Sequence, residues 1–478
     1  MIADAASPPA VVLNGIDGAT GDYAIGPLDP AAVAALARGE TLPPGVLDEL
    51  EAKHAQATVD HLGVMAGVDA YDLAQAGWGV VFASDTAPAV RDALSPLLEH
   101  RKAAATRRDG RFYRELAGAD GYRTGESSLD FLVRHGVAPG QPANPERMPY
   151  YLLIVGSPEA VPFRFQYQLD VIYATGRVWF DDVDSYARYA AAVVAAEGGP
   201  APRDRRAVLF GAENAGDAAT HLSANHLVRP LHERLAAGDG WTIEAVAGEG
   251  ATKARLGDLI GGSDRTGLLF TATHGMTFPN GDRRQVPHAG ALLCQDWPGR
   301  AWKQAIPEDF YFSGDDVAPD TTAAGLIAFL FACYGAGTPA TDEFNRDPRV
   351  PRNVAPHAFV GRLPQRLLDA GALAVAGHVD RAWSYSFAWP GLDRQVEVFE
   401  SALGELLRGA PVGLAMEFFN TRYATLTSEL ESLKEEAAYG AVPDDARVAH
   451  LWTAKTDARN YVVIGDPAAR LPGAAAPS

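Results

Sequence analysis

From about residue 76 the chain alternates between short, nearly unbroken apolar runs and stretches with helical spacing. The apolar runs cover residues 79–83, 151–155, 207–210, 241–246, 267–273, 326–332, 372–376 and 461–464. Helical spacing recurs over 88–101, 221–236, 365–370, 395–408 and 412–436. Strands that are apolar along their whole length must be buried on both sides. Separated by helices, they predict a mostly parallel sheet covered on both faces, a three-layer αβα sandwich. In open sheets of this kind ligands sit beyond the carboxyl ends of the strands.

The pattern also divides the chain. Residues 1–75 read as a small helical N-terminal region, with helical composition over 31–37 and 47–65 broken at Gly39 and at Pro43-Pro44-Gly45. Residues 196–206 are rich in Gly, Pro and charge. They predict a link between a first α/β subdomain at 76–200 and a second, chemistry-bearing one at 205–472, with a frayed tail at 473–478. The segment 275–322 is polar, rich in Pro and Gly, and too long for an ordinary connection.

Composition narrows the function classes. With 478 residues, 47% hydrophobic and 21% charged, the chain can bury a large core. A net charge of −19 disfavours nucleic acid and anionic membranes as partners and suits a basic peptide. Two cysteines, Cys294 and Cys333, exclude a disulfide scaffold and a multi-cysteine zinc site. No basic-then-apolar leader opens the sequence, and no run approaches the ~20 apolar residues of a membrane span. The expectation is a cytoplasmic protein that needs no cofactor.

Two strand ends carry chemistry. One apolar run ends in His274-Gly275 and another in Cys333-Tyr334-Gly335. If the two strands are neighbours, the imidazole and the thiol share one sheet edge. The imidazole then activates the thiol as a nucleophile, and the Gly275 amide is available to an oxyanion. The blander alternative is a buried cysteine used as a small hydrophobe and a His-Gly turn. Cys294 reads as structural. Gly335 to Ala340 formally matches a dinucleotide fingerprint, although Pro339 falls where a helix should begin.

At these residues the chain resembles the caspase–gingipain–CHAT group of cysteine peptidases, and its gingipain-like branch in particular. Residues 150–162 resemble that branch's early strand, 371–383 the strand after the nucleophile, and 461–471 the closing Gly-Asp-Pro segment. The resemblance spans about residues 150–471. It implies a caspase-like fold with Cys333 as nucleophile, His274 as general base and Gly275 at the oxyanion site. It further implies Trp383 as a wall of the specificity pocket and Asp170 as its floor, selecting Arg or Lys. Asp170 also reads as an ordinary turn residue. Glu159 is a candidate third member orienting His274, or simply a solvated loop residue. Asp380 and Asp466 read as structural.

The expected function is an intracellular cysteine endopeptidase acting on protein or peptide substrates. It is held as a zymogen and switched on by an upstream activating protease. The long segment 275–322 would be a lid, with Arg283, Arg284 and Arg300 as processing points or plain surface charges. The rivals are a non-catalytic interaction module on the same fold and a nucleotide-dependent α/β enzyme.

Overall fold

The computed structural model describes residues 15–22, 63–236, 240–262, 264, 266–344, 352–392, 394–439 and 442–473. The helices expected over 31–37 and most of 47–65 lie outside the described residues, as does the tail after 473.

In chain order the strands are β1 (Gly15–Asp17), β2 (Trp78–Phe82), β3 (Tyr113–Leu116), β4 (Tyr151–Val155), β5 (Ala174–Val178), β6 (Asp204–Gly211), β7 (Thr242–Ala247) and β8 (Thr266–Ala272). After them come β9 (Gly275–Thr277), β10 (Leu292–Leu293), β11 (Tyr311–Phe312), β12 (Ile327–Phe331), β13 (Gly337–Thr338), β14 (Phe359–Val360), β15 (Ala374–His378) and β16 (Tyr461–Gly465). Ten of them form one sheet in the order β3-β2-β4-β5-β16-β15-β12-β8-β6-β7. The sheet is mostly parallel, and β16 runs antiparallel to β15. All eight predicted apolar runs are strands of this sheet.

Helices cover both faces, giving the three layers expected. Pro88–Ala105, Val183–Gly198 and Arg362–Asp369 pack in series along one. On the other, Arg229–Leu235, Glu397–Leu407, Glu417–Ala438 and Asp445–Arg459 do the same. There Phe329 of β12 meets Phe399 and Phe419. Among the described residues no helix is long and apolar enough to cross a membrane.

One sheet joins the two halves through β16, which lies between β5 and β15. A buried ion network fastens this junction. Arg101 reaches Asp466 at 2.5 Å and Glu197 at 2.6 Å. The Trp78 indole donates to Asp466 at 2.9 Å. Asp466, in the Gly-Asp-Pro corner, is therefore structural.

The segment 275–322 is not a bare lid. It folds into a second small sheet, β1-β9-β10-β11. Its core of Ile16, Met276, Phe278, Leu293, Trp297 and Tyr311 is buried. Strand β1, from the far N-terminal side, pairs in parallel with β9, Gly15 opposite Gly275.

Candidate active site

Strands β8 and β12 are direct neighbours, paired from Leu268 opposite Ile327 to Ala272 opposite Phe331. The pairing continues in the bond from the Thr273 amide to the Phe331 carbonyl, 3.2 Å. The same register carried two residues on sets His274 opposite Cys333. Both residues are fully buried. Gly275 is required here: a Cβ at this position would stand 1.8 Å from the Cys333 carbonyl oxygen. The chain then turns sharply. Tyr334 has φ of 60°, a left-handed conformation that costs a non-glycine residue about 1–3 kcal/mol. It is held by its amide's bond to the Asp380 carbonyl, 2.7 Å.

The imidazole is held from the β6 side. His274 Nε2 lies 2.7 Å from Asp217 Oδ2, and both side chains have no exposed surface. Asp217 is also the N-cap of the helix Ala218–Ser223, accepting from the Thr220 amide at 3.0 Å and its hydroxyl at 2.6 Å. These bonds keep one carboxylate oxygen aimed at the ring. Glu159 does not fill this role. It is exposed beyond β4 and meets His357 at 3.5 Å.

The thiol faces the β15 side. Cys333 Sγ accepts from the Ala382 amide at 3.2 Å and lies 3.7 Å from the Ala382 carbonyl. Burial pushes this thiol well above its usual range, with the Ala382 bond opposing. The group is therefore neutral in the closed site. Trp383 is the next residue. It is buried, packs on Phe344 with ring centres 5.0 Å apart, and donates its amide to Asp457 at 2.8 Å. The thiol is roofed by β1: a Cβ on Gly15 would lie 3.1 Å from Sγ.

Not every expected residue converges. Asp170 ends the helix Phe163–Leu169, ahead of β5, and its Oδ1 accepts from the Thr175 amide at 3.2 Å. The helix carries the chain back to the amino edge, so Asp170 sits across the sheet from Cys333. The pocket floor expected there is not built from it. Arg284 bonds the Ile306 carbonyl and lies over Phe278, and Arg300 pairs with Asp22 at 3.1 Å. Arg283 is exposed. The nucleotide alternative fails locally, because Gly337 and Thr338 enter β13, paired with β14, instead of opening a helix. Cys294 is buried at the end of β10, consistent with a structural cysteine.

Asp217 is absent from the candidates read in the sequence. Its signal is an N-cap aspartate, Asp217-Ala218-Ala219-Thr220, just beyond the apolar run 207–210.

No family model matches the chain, and no curated protein matches it in sequence. Solved structures do match in fold. The complex of the pro- and mature domains of RgpB from Porphyromonas gingivalis is 12% identical, over 84% of this chain and 81% of that one, with a TM-score of 0.45. The Arg-specific cysteine proteinase gingipain R is 13% identical, over 86% and 80%, with a TM-score of 0.43. Separase from Saccharomyces cerevisiae, in its complex with securin, is 13% identical over 66% of this chain and 15% of its own, with a TM-score of 0.32.

Proposed function

We propose that the chain is a cysteine endopeptidase. The observation that carries this reading is the register of β8 and β12, which brings His274 and Cys333 opposite one another at one sheet edge, with Asp217 bonded to the imidazole. In the reaction, His274 takes the thiol proton as Cys333 sulfur bonds to the scissile carbonyl carbon. Backbone amides of Gly275 and Cys333 serve the oxyanion. The imidazolium returns its proton to the departing amine, leaving a thioester. Water then attacks the thioester, His274 again taking and returning the proton.

Gly15 roofs the thiol, and a peptide reaches Cys333 only when β1 moves aside. This supports the zymogen reading, with an upstream protease or a binding partner as the trigger. The Arg/Lys preference rested on Asp170, and its position at the amino edge leaves that preference without a residue to carry it.

A second reading has its own observation. Cys333 and His274 bond to different partners, Ala382 and Asp217, as they would in a non-catalytic module that keeps the fold. A fluorogenic peptide library, assayed with wild type, Cys333→Ala and His274→Ala, separates the two. The peptidase reading expects turnover by wild type alone. Equal signal from all three, or from none after β1 has been loosened, leaves the non-catalytic module.

A further inference from the structure

A cavity of about 710 Å³ lies in the half of the chain that does not carry Cys333. It is walled by the helices Ser128–Arg134 and Phe163–Leu169 and by the turn that leads into β5. The two helices pack through Phe131 and Phe165, ring centres 5.3 Å apart. No residue of the candidate active site lines this space.

Its buried walls are mostly apolar. Tyr122, Leu132, Val137, Phe165 and Ile172 are each at most 7% exposed. Water held against such walls finds few hydrogen-bond partners. The volume falls in the range of sites for small organic molecules, ~300–1,000 Å³.

Two polar groups interrupt the apolar lining. Tyr173 is 1% exposed, and its hydroxyl has no partner among the described residues. Burial raises that hydroxyl above its usual range, so it keeps its hydrogen. Gln168 is 7% exposed. Its Oε1 accepts from the Ser128 amide at 3.4 Å and from the Ser128 hydroxyl at 3.1 Å. A backbone amide only donates, so the carboxamide oxygen must face Ser128 and the NH2 group is left over. That nitrogen bonds none of the described residues. A buried donor without an acceptor is costly, and a guest that brings acceptor oxygens removes the cost.

Charge narrows the guest further. Glu126 is held by Arg134 at 2.8 Å. Asp130 is exposed at the mouth, and Arg164 is half-buried. None of the buried lining residues is charged. An ion brought there would lose its water without gaining a counter-charge, a loss that a neutral molecule does not suffer.

We propose that this cavity binds a small, neutral, mainly apolar molecule that carries a carbonyl oxygen, with Tyr173 and Gln168 as its hydrogen-bond donors. The site is independent of the peptidase reading and stands or falls without it.

The test titrates three probes of one shape into the full chain labelled at its Ile, Leu and Val methyls. Acetophenone has the carbonyl, ethylbenzene lacks it, and benzoate carries a charge. NMR shifts give both the place and the strength of binding. The site expects acetophenone to shift the methyls of Leu132, Val137 and Ile172. It should bind about 3- to 10-fold tighter than ethylbenzene, the worth of one neutral hydrogen bond, with benzoate weakest. Tyr173→Phe removes only the hydroxyl and should bring the acetophenone-to-ethylbenzene ratio at least ~2-fold closer to one. Shifts confined to other methyls, no shift at all, equal binding of acetophenone and ethylbenzene, tighter binding of benzoate, or an unchanged ratio in Tyr173→Phe each overturn the site. Should Tyr173→Phe not fold, the wild-type shifts and ratio decide alone.

Discussion

Oδ2 of Asp217 stands 2.7 Å from Nε2 of His274, and neither side chain touches solvent. A carboxylate only accepts, so the ring's Nε2 carries the hydrogen and Nδ1 is the basic nitrogen of the neutral form. On the peptidase reading Asp217 is a positioning residue: it sets which nitrogen takes a proton. Asparagine at this place keeps the N-cap of Ala218–Ser223 but loses the charge and can present the wrong group to the ring. Asp217→Asn is expected to lower kcat by about 10²- to 10⁴-fold with KM nearly unchanged. Unchanged kcat in steady-state assays would show that the pair only holds the fold together.

The roof over the thiol gives a second expectation. A methyl group added at Gly15 stands 3.1 Å from Sγ, tighter than ordinary contact. Gly15→Ala should strain β1 by about 1–2 kcal/mol and raise the rate of Cys333 alkylation roughly 10-fold. Mass spectrometry reads this with Cys294, equally buried, as the internal reference. Equal rates at Cys333 in both proteins would mean that β1 does not control access.

Arg101 is the third test. It is 2% exposed and bonds Asp466 and Glu197 together. Arg101→Met leaves the buried Asp466 carboxylate without its cation, which costs about 3–5 kcal/mol. Urea denaturation should show that loss, and Arg101→Met with Asp466→Asn should recover part of it. An unaffected midpoint would refute the network's place in holding β16.

Glu417 supplies a pH dependence. Burial raises its carboxyl from 4.5 to about 7, against the opposing bond from the Tyr150 hydroxyl. The folded chain therefore keeps a proton that the unfolded chain has lost. Its contribution is full below pH 4.5 and is lost as pH rises through 7, a fall of roughly 3 kcal/mol. Glu417→Gln still offers Tyr150 an acceptor oxygen and does not titrate. Its stability relative to wild type should rise between about pH 5 and about pH 8. Thermal melts across that range that stay parallel would contradict this.

Seven of the eight runs were legible because each is buried on both faces, so composition alone marks them; the eighth, in β7, is a half-exposed edge strand. Strands β3 and β5 were not. Tyr113–Leu116 is a half-exposed edge strand with Arg114 and Glu115. Ala174–Val178 hides an arginine, Arg177, whose guanidinium is satisfied by Gln166 and the carbonyls of Gly156 and Val161. His274 and Cys333 could be paired because each ends an apolar run. Asp217 could not, since its meaning depends on β6 lying next to β8. Asp170 misled because the helix Phe163–Leu169 returns the chain to the far edge, a reversal that its distance from β4 does not reveal.

The late position of β16 in the chain sets the order of assembly. Until residues 461–465 are made, β5 and β15 each present a bare edge, and the two sheets cannot merge. The joining of the two halves must wait for nearly the whole polypeptide, a topology that slows folding and leaves strand edges open in the interim. The half that bears Cys333 completes its flank only with this last piece, so a ribosome-bound fragment carries His274 and Cys333 in an unfinished frame. The site's frame is thus completed only as synthesis ends.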